Sequence, residues 1–257
     1  MLTLRPYQAD LIARARAAYQ NGKRAPLLVS PVASGKSVCF AYMAARAHEL
    51  GKRVLLMAHR EELLDQISAT LEAFEVRHGW IAPARPYEPG IAVQLGGVFT
   101  VARRLSRMHA SGMQPDLIII DEAHHAIKSS TWGKVLTAFP DALRLGVTAT
   151  PERLSGEPLS DMFDELIVGP GVRELIAAGA LCDYRIFVPS TIDVGGVHTR
   201  MGDFVKGELT QAADKPGITG DAIKEYKKYA DHKRAVAFCV SIEHARHVAE
   251  SFRAAGY

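Results

Sequence analysis

Two clusters of residues in this chain have the types and setting of a phosphate-handling centre. The first is Ser30-Pro31-Val32-Ala33-Ser34-Gly35-Lys36-Ser37, a run of small residues closing on a lysine and a hydroxyl. Binding a polyphosphate calls for a turn whose backbone N–H groups wrap the oxygens, and for a helix N-terminus aimed at them. Val32, Ala33, Ser34 and Gly35 then form the cradle, Lys36 reaches the β- and γ-phosphates, and the Ser37 hydroxyl meets Mg²⁺. The strict pattern opens on glycine, where this chain has Ser30. The second cluster is Asp121-Glu122-Ala123-His124, directly after the apolar run Leu117-Ile118-Ile119-Ile120. Carboxylates at the C-terminal end of a parallel strand open into the crevice where ligands bind. Asp121 is there to hold Mg²⁺ through water, and Glu122 to polarise the attacking water. Read singly, the first cluster is also a small-residue turn before a helix, and the second an acid-rich surface turn. Their order, each behind an apolar run, selects the chemical reading.

Two weaker motifs point to the same place. Gly146-Val147-Thr148-Ala149-Thr150-Pro151 follows the run Leu143 to Val147, so Thr148 and Thr150 emerge on the same edge as Asp121. A turn held by threonine hydroxyls is the plainer alternative. In Leu4-Arg5-Pro6-Tyr7-Gln8, the Gln8 amide matches an adenine edge with one donor and one acceptor. A proline opening a helix, with an incidental glutamine, carries the same letters.

These residues need a scaffold that delivers them to one edge. Short apolar runs alternate with helical spacing: strands at Leu27–Val29, 53–58, 93–98, Leu117–Ile120 and 143–147, with helices over Lys36–Leu50 and Glu61–Phe74. That alternation predicts an α/β fold with a mainly parallel sheet covered by helices. Leu117 to Ile120 has no polar alternation, as expected of a central strand buried on both faces. Gly79, Pro83, Pro86 and Pro89 break any regular period, so 77–89 reads as a loop. Domain 1 is expected over 1–152 and a Gly/Asp/Pro-rich connector over 153–220, with a short helix near 172–178 and a strand near 185–188. A new α/β unit begins over 221–257, with a helix over 221–230, a buried strand at Ala235–Val240 and a helix over 242–255. One strand and one helix cannot close a parallel sheet, so that unit reads as truncated at Tyr257.

Bulk properties are permissive. The formal net charge is +3, but residues 1–110 hold 15 Lys/Arg against 8 Asp/Glu and the remainder 16 against 20. A basic first part suits a phosphate-bearing partner, and a solvated helical surface explains it equally. Cys39, Cys182 and Cys239 show no zinc or disulfide spacing, and are expected reduced in apolar surroundings. With no secretory-signal pattern and no apolar run long enough to span a bilayer, the expectation is a cytoplasmic protein with no membrane partner.

Taken together, LRPYQ, SPVASGKS, AHREELLDQ, DEAHH and GVTATPER, in this order, resemble the superfamily-2 helicases of the DEAD/DEAH type. The resemblance extends over essentially the whole chain and is closest to the RadD-like branch, near the restriction-enzyme motor subunits. It implies a RecA-like P-loop NTPase domain and the start of a second RecA-like lobe. It further implies ATP and Mg²⁺ as ligands, with nucleic acid, DNA rather than RNA, as the track. By that resemblance Arg5 and Gln8 sense adenine, and Lys36, Asp121 and Glu122 carry the catalysis. His124, Thr148 and Thr150 couple hydrolysis to movement, while His59, Arg60, Thr100 and Arg103 grip the nucleic-acid backbone. Arg60 and Arg103 are equally readable as solvated helix charges. Arg234 to Ser241 with Glu243-His244-Ala245 resembles the first strand and helix of the second lobe, whose arginine fingers lie in motifs not present here. The implied activity is ATP hydrolysis driving a nucleic-acid translocase or helicase, weak in this chain alone. The alternatives are a nucleic-acid-binding or assembly fragment without turnover, and another P-loop NTPase such as a kinase or nucleotide switch.

Overall fold

The computed structural model describes residues 3–83, 85–152, 158–187, 192–200 and 203–257. It separates into two compact units, Met1–Asp183 and Tyr184–Tyr257. In chain order the first unit has α1 (Pro6–Gln20), β1 (Pro26–Val29), α2 (Lys36–Glu49), β2 (Val54–Ala58) and α3 (Glu61–Ala73). It continues with β3 (His78–Ile81), β4 (Val93–Gly97), α4 (Val98–Ala110), β5 (Leu117–Asp121) and α5 (Thr131–Ala138). It ends with β6 (Leu143–Thr148), β7 (Glu165–Val168) and α6 (Val172–Ala177).

The seven strands form one sheet in the order β3-β4-β2-β5-β6-β1-β7, and every adjacent pair is parallel. A parallel sheet needs cover on both faces, and alternate residues of each strand provide for it. Leu28, Leu56, Ile119 and Leu145 pack with α1, α2 and α3, through Leu11, Phe40, Ala44, Leu64 and Ile67. Leu27, Leu55, Met57, Ile118 and Ile120 pack on the other face against Val101 and Met108 of α4 and Trp132, Val135 and Leu136 of α5. The expected α/β class and RecA-like arrangement of this unit are therefore present.

Three expectations are corrected here. The stretch 77–89 is not wholly loop, because His78–Ile81 is a parallel edge strand paired with β4. Its alternation is hidden by Gly79, whose missing side chain leaves room for the Gln94 amide: a Cβ there would lie 2.8 Å from that amide. The stretch expected as connector from 153 contributes β7, which pairs with β1 along Pro26–Val29, so the first unit runs on to Asp183. Finally, 235–240 forms no strand. Val236 and Phe238 are 79% and 96% exposed, and no strand among the described residues pairs with them.

The second unit comprises a short hairpin, β8 (Thr199–Arg200) with β9 (Asp203–Phe204), then α7 (Lys206–Ala213), α8 (Pro216–Ala230) and α9 (Ile242–Ala254). Tyr226 of α8 meets Phe252 of α9 and Tyr257 edge-on, and His247 shares a 2.7 Å hydrogen bond with Asp214. Of the strand expected near 185–188, residues 185–187 are irregular and 188 lies outside the described residues. Cys39 is buried and burial pushes its thiol up to about 11, whereas Cys182 is exposed. No helix among the described residues is long and apolar enough to cross a membrane.

Candidate nucleotide site and nucleic-acid face

The register of the three central strands brings the motifs together. Val29 lies opposite Thr148, and Asp121 opposite Val147. The loop after β1 and the turns after β5 and β6 therefore leave the sheet at one level of its C-terminal edge. The Ser30 N–H donates to the Thr148 carbonyl at 3.0 Å, continuing the ladder one residue past β1.

The loop itself is shaped by two left-handed residues, Ala33 at φ 63° and Gly35 at φ 80°. Gly35 caps α2, and a Cβ there would come within 2.5 Å of the Gln8 amide nitrogen. Ser30 is not left-handed, so the glycine of the strict pattern is not required. Its hydroxyl instead donates to the buried Ser34 hydroxyl at 2.8 Å. The Lys36 ammonium folds back onto the Pro31 carbonyl at 3.1 Å. Burial pushes its pKa down, while the charges of Glu122 and Asp121 oppose that shift. Ser37 follows in the first turn of α2, and Val32 is exposed at the tip of the loop.

Gln8 is nearly fully buried, and both ends of its amide are engaged. Its nitrogen donates to the Ser34 and Gly35 carbonyls at 3.2 and 3.4 Å, and its oxygen accepts the Arg5 N–H at 2.9 Å. The Tyr7 hydroxyl adds a 2.6 Å bond to the Ser34 carbonyl. The first turn of α1 thus braces the loop after β1 from behind. The exposed Arg5 guanidinium donates to the Ala180 carbonyl at 3.1 Å.

Asp121 ends β5, and Glu122 takes a left-handed conformation (φ 48°, ψ 51°), which is strained for a side-chain-bearing residue and concentrates at functional sites. The Glu122 N–H donates to Asp121 Oδ1 at 3.0 Å. Burial first, then the neighbouring Glu122 charge, push the Asp121 carboxyl up to about 6. Two carboxylates held this close in a partly buried turn fit a divalent cation, which would relieve both effects. The turn continues as one 3₁₀ unit over Ala123–His125. His124 Nδ1 shares a 2.9 Å hydrogen bond with the Thr148 hydroxyl and lies 3.4 Å from Glu122 Oε2. The Thr148 hydroxyl also donates to the Thr150 carbonyl and accepts the Thr150 N–H, each at 3.1 Å. Glu122, His124, Thr148 and Thr150 are thus one connected network.

The four residues expected to touch nucleic acid lie toward the other side of the same edge. His59 follows β2 and Arg60 caps α3, while Thr100 and Arg103 lie on the first turns of α4. Ala58 pairs with Gly97, so the ends of β2 and β4 are adjacent. His59, Phe99 and Thr100 line one cavity of about 180 Å³. Arg60 and Arg103 are exposed and do not line it. A larger cavity of about 650 Å³ opens among Arg16, Tyr19, Met43, Lys52 and Asp116. It lies toward the N-terminal ends of β5 and β6 and includes none of the motif residues, so room alone does not locate the chemistry. Sequence reasoning missed the bracing role of Tyr7 and gave His125 no part. His125 is ring-packed on both His124 and His59.

Comparison with known proteins bears on the family and the fold. Residues 1–153 match the family model described as "Type III restriction enzyme, res subunit". A 51.5 kDa protein of a Lactococcus phage is 36% identical over 230 residues, which are 90% of this chain and 47% of that protein. The Escherichia coli type I restriction enzyme EcoAI endonuclease subunit is 26% identical over 267 residues, 94% of this chain and 33% of the subunit. The chain therefore spans half or less of the length of these relatives. Among solved structures, the UvsW helicase of bacteriophage T4 superposes with a TM-score of 0.55 at 16% identity, covering 65% of this chain and 60% of that one. The chain belongs to the family of the type III restriction enzyme res subunit, among the superfamily-2 helicases related to restriction-enzyme motors.

Proposed function

We propose that this chain is the ATP-binding part of an ATP-dependent DNA helicase or translocase, coupling ATP hydrolysis to movement along the phosphate backbone. The observation that carries the proposal is the convergence on one sheet edge of Lys36, the Asp121–Glu122 turn and the Thr148–Thr150 turn, with His124 bonded between the last two. The restriction-enzyme relatives favour DNA over RNA. So does LlaGI, a restriction-modification enzyme solved with a DNA substrate mimic, whose fold superposes at a TM-score of 0.55.

In this reading the backbone N–H groups of residues 32–37 hold the phosphates, and Lys36 leaves the Pro31 carbonyl for them. Ser37 would hold Mg²⁺ through its hydroxyl and Asp121 through water. A cation held there would supply neutralisation of the charge developing on the phosphates. Glu122 orients the attacking water and accepts its proton. Arg5 and Gln8 lie on the adenine side, where Gln8 can exchange a loop contact for the base. His124, Thr148 and Thr150 register the loss of the phosphate through their shared hydrogen bonds. His59, Arg60, Thr100 and Arg103 hold the backbone, which predicts little sequence preference and strong salt dependence. The resemblance places the arginine fingers in motifs beyond those found here, and such fingers are worth ~10³–10⁵ in rate in related chemistry. These 257 residues alone are accordingly slow.

The test is ATP turnover with no polymer, single-stranded DNA, duplex DNA and RNA, comparing the chain with Lys36→Ala and Glu122→Gln. Slow turnover raised by DNA and abolished by both substitutions is expected. ATP binding without turnover in any condition would leave a non-catalytic binding fragment, and absence of ATP binding would overturn the site assignment.

A further inference from the structure

The turn after β5 sits between two neighbours. β2 lies on one side and carries His59 at its end, and β6 lies on the other and carries Thr148. The left-handed Glu122 and the 3₁₀ turn that follows set His124 and His125 side by side, and each meets a different neighbour. His124 goes to β6 and bonds Thr148 at 2.9 Å. His125 goes toward β2, where its ring lies 4.6 Å from the His59 ring, centre to centre, tilted by 59°. The His124 and His125 rings are themselves 4.0 Å apart. An unbroken line of contacts thus runs from His59, beside Arg60 and the cavity it shares with Thr100, to Glu122 and Thr148.

Two details mark this line as more than incidental packing. His59 Nδ1 is buried with no hydrogen-bond partner, and an arrangement that satisfies this atom would be favoured over the present one. Burial first, then the neighbouring His125 ring, hold His59 and His124 below the usual histidine range, which favours ring packing over charge. Packed groups that have two arrangements are what transmits energy between sites, because interiors repack between states rather than deform smoothly.

We propose that His125 is a positioning residue that couples nucleic-acid binding at His59 to the ATP site at Glu122 and Thr148, through contact between the three imidazole rings. A backbone phosphate that turns the His59 ring moves His125, which shifts the turn bearing Glu122 and the His124–Thr148 bond. The inference rests on the function proposed above, in which one face holds ATP and the adjacent one DNA. His125 itself touches neither ligand and acts by shape.

The experiment measures the dissociation constant of a fluorescent, non-hydrolysable ATP analogue with Mg²⁺, with and without saturating oligo(dT), on the whole chain. The ratio of the two constants is the coupling factor, and linkage makes it the same whichever ligand is added first. Wild type is expected to show a factor of about ten, within the usual range for coupled sites. His125→Ala should bring the factor to about one while leaving each affinity, measured alone, within about twofold. His125→Phe, which keeps a ring, should retain most of it. A merely structural role would lower both affinities and the melting temperature together instead. Coupling that survives in His125→Ala, that is lost equally in His125→Phe, or that is absent from a wild type binding both ligands would overturn the inference and leave the proposed function standing. A wild type that binds neither ligand would bring down both.

Discussion

Leu117–Ile120 and Ala235–Val240 are two apolar runs of similar composition that the fold treats in opposite ways. Ile118, Ile119 and Ile120 are at most 1% exposed at the centre of a seven-stranded sheet. Val236 and Phe238 stand in solvent, in a segment without ladder hydrogen bonds. Strand propensity is a statement about fit to a half-buried pleated surface, not an intrinsic backbone preference. Leu117 to Asp121 finds β2 and β6 on either side and helices on both faces. Residues 235–240 have no such neighbour among the described residues, and apolar composition does not create one.

The contrast has a function attached. Only a strand locked on both sides can present its last residue at a fixed level of the sheet edge, and Asp121 depends on that. The largest expected effect is therefore at the centre of the first region. Ile119→Ala should destabilise the first unit by about 4 kcal/mol through lost burial and the cavity left behind. Urea unfolding followed by tryptophan fluorescence reads this unit alone, since both tryptophans, Trp80 and Trp132, lie within it. A loss under 1 kcal/mol would mean that β5 is not the keystone that its burial indicates.

Much of this was legible in the sequence, for identifiable reasons. Leu27–Val29, Lys36–Leu50 and Leu117–Ile120 appear within about a residue of their expected bounds because local propensity and tertiary burial agree there. The central motif clusters reach one edge because SPVASGKS, DEAHH and the threonine turn each follow a parallel strand, whereas LRPYQ comes to it through α1. What failed, failed where a partner outside the segment decides. β3 is hidden by the complementarity of Gly79 and Gln94, separated by fifteen positions in sequence. β7 follows a stretch rich in Gly and Pro and joins the sheet only because β1 offers an open side. The helix α4 was readable but masked: Val98, Val101, Ala102, Leu105 and Met108 keep helical spacing, yet Val98 also reads as the end of the strand before it. At the site, Lys36, Asp121, Glu122 and Thr148 announce themselves by motif. His125 closes DEAHH without a role of its own there, and its place on the ring line shows only in the packing after the left-handed turn at Glu122.

A smaller effect sharpens the comparison at the end of β5, where burial turns from asset to strain. The folded state raises the Asp121 pKa from 3.8 to about 6, so it binds a proton more tightly than the unfolded chain does. That contribution to stability is full below the unfolded value and is lost as pH rises through about 6. At pH 8 the carboxylate is charged in both states and costs the fold on the order of 3 kcal/mol, from about 1.4 kcal/mol per pKa unit. Asp121→Asn should therefore be more stable than wild type at pH 8 without Mg²⁺, and nearly equal to it at pH 4. Thermal melts of the two proteins across that range measure the difference directly. Equal stability at every pH would show that Asp121 is solvated rather than strained.

The smallest effect belongs to the second region. Phe238→Ser should change the stability of the second unit by less than about 0.5 kcal/mol, since a side chain already in water has no burial to lose. The readout is the melting of helical circular dichroism, because Tyr184–Tyr257 contains no tryptophan. The same substitution should reduce self-association at high concentration, where an exposed apolar segment outside any ladder pairs readily with another chain. Together the two results would separate apolar composition from burial in one molecule: the buried isoleucine governs folding, and the exposed phenylalanine governs only what the surface sticks to. A loss of 2 kcal/mol or more in Phe238→Ser would instead place Ala235–Val240 in a packed setting and erase its contrast with Leu117–Ile120.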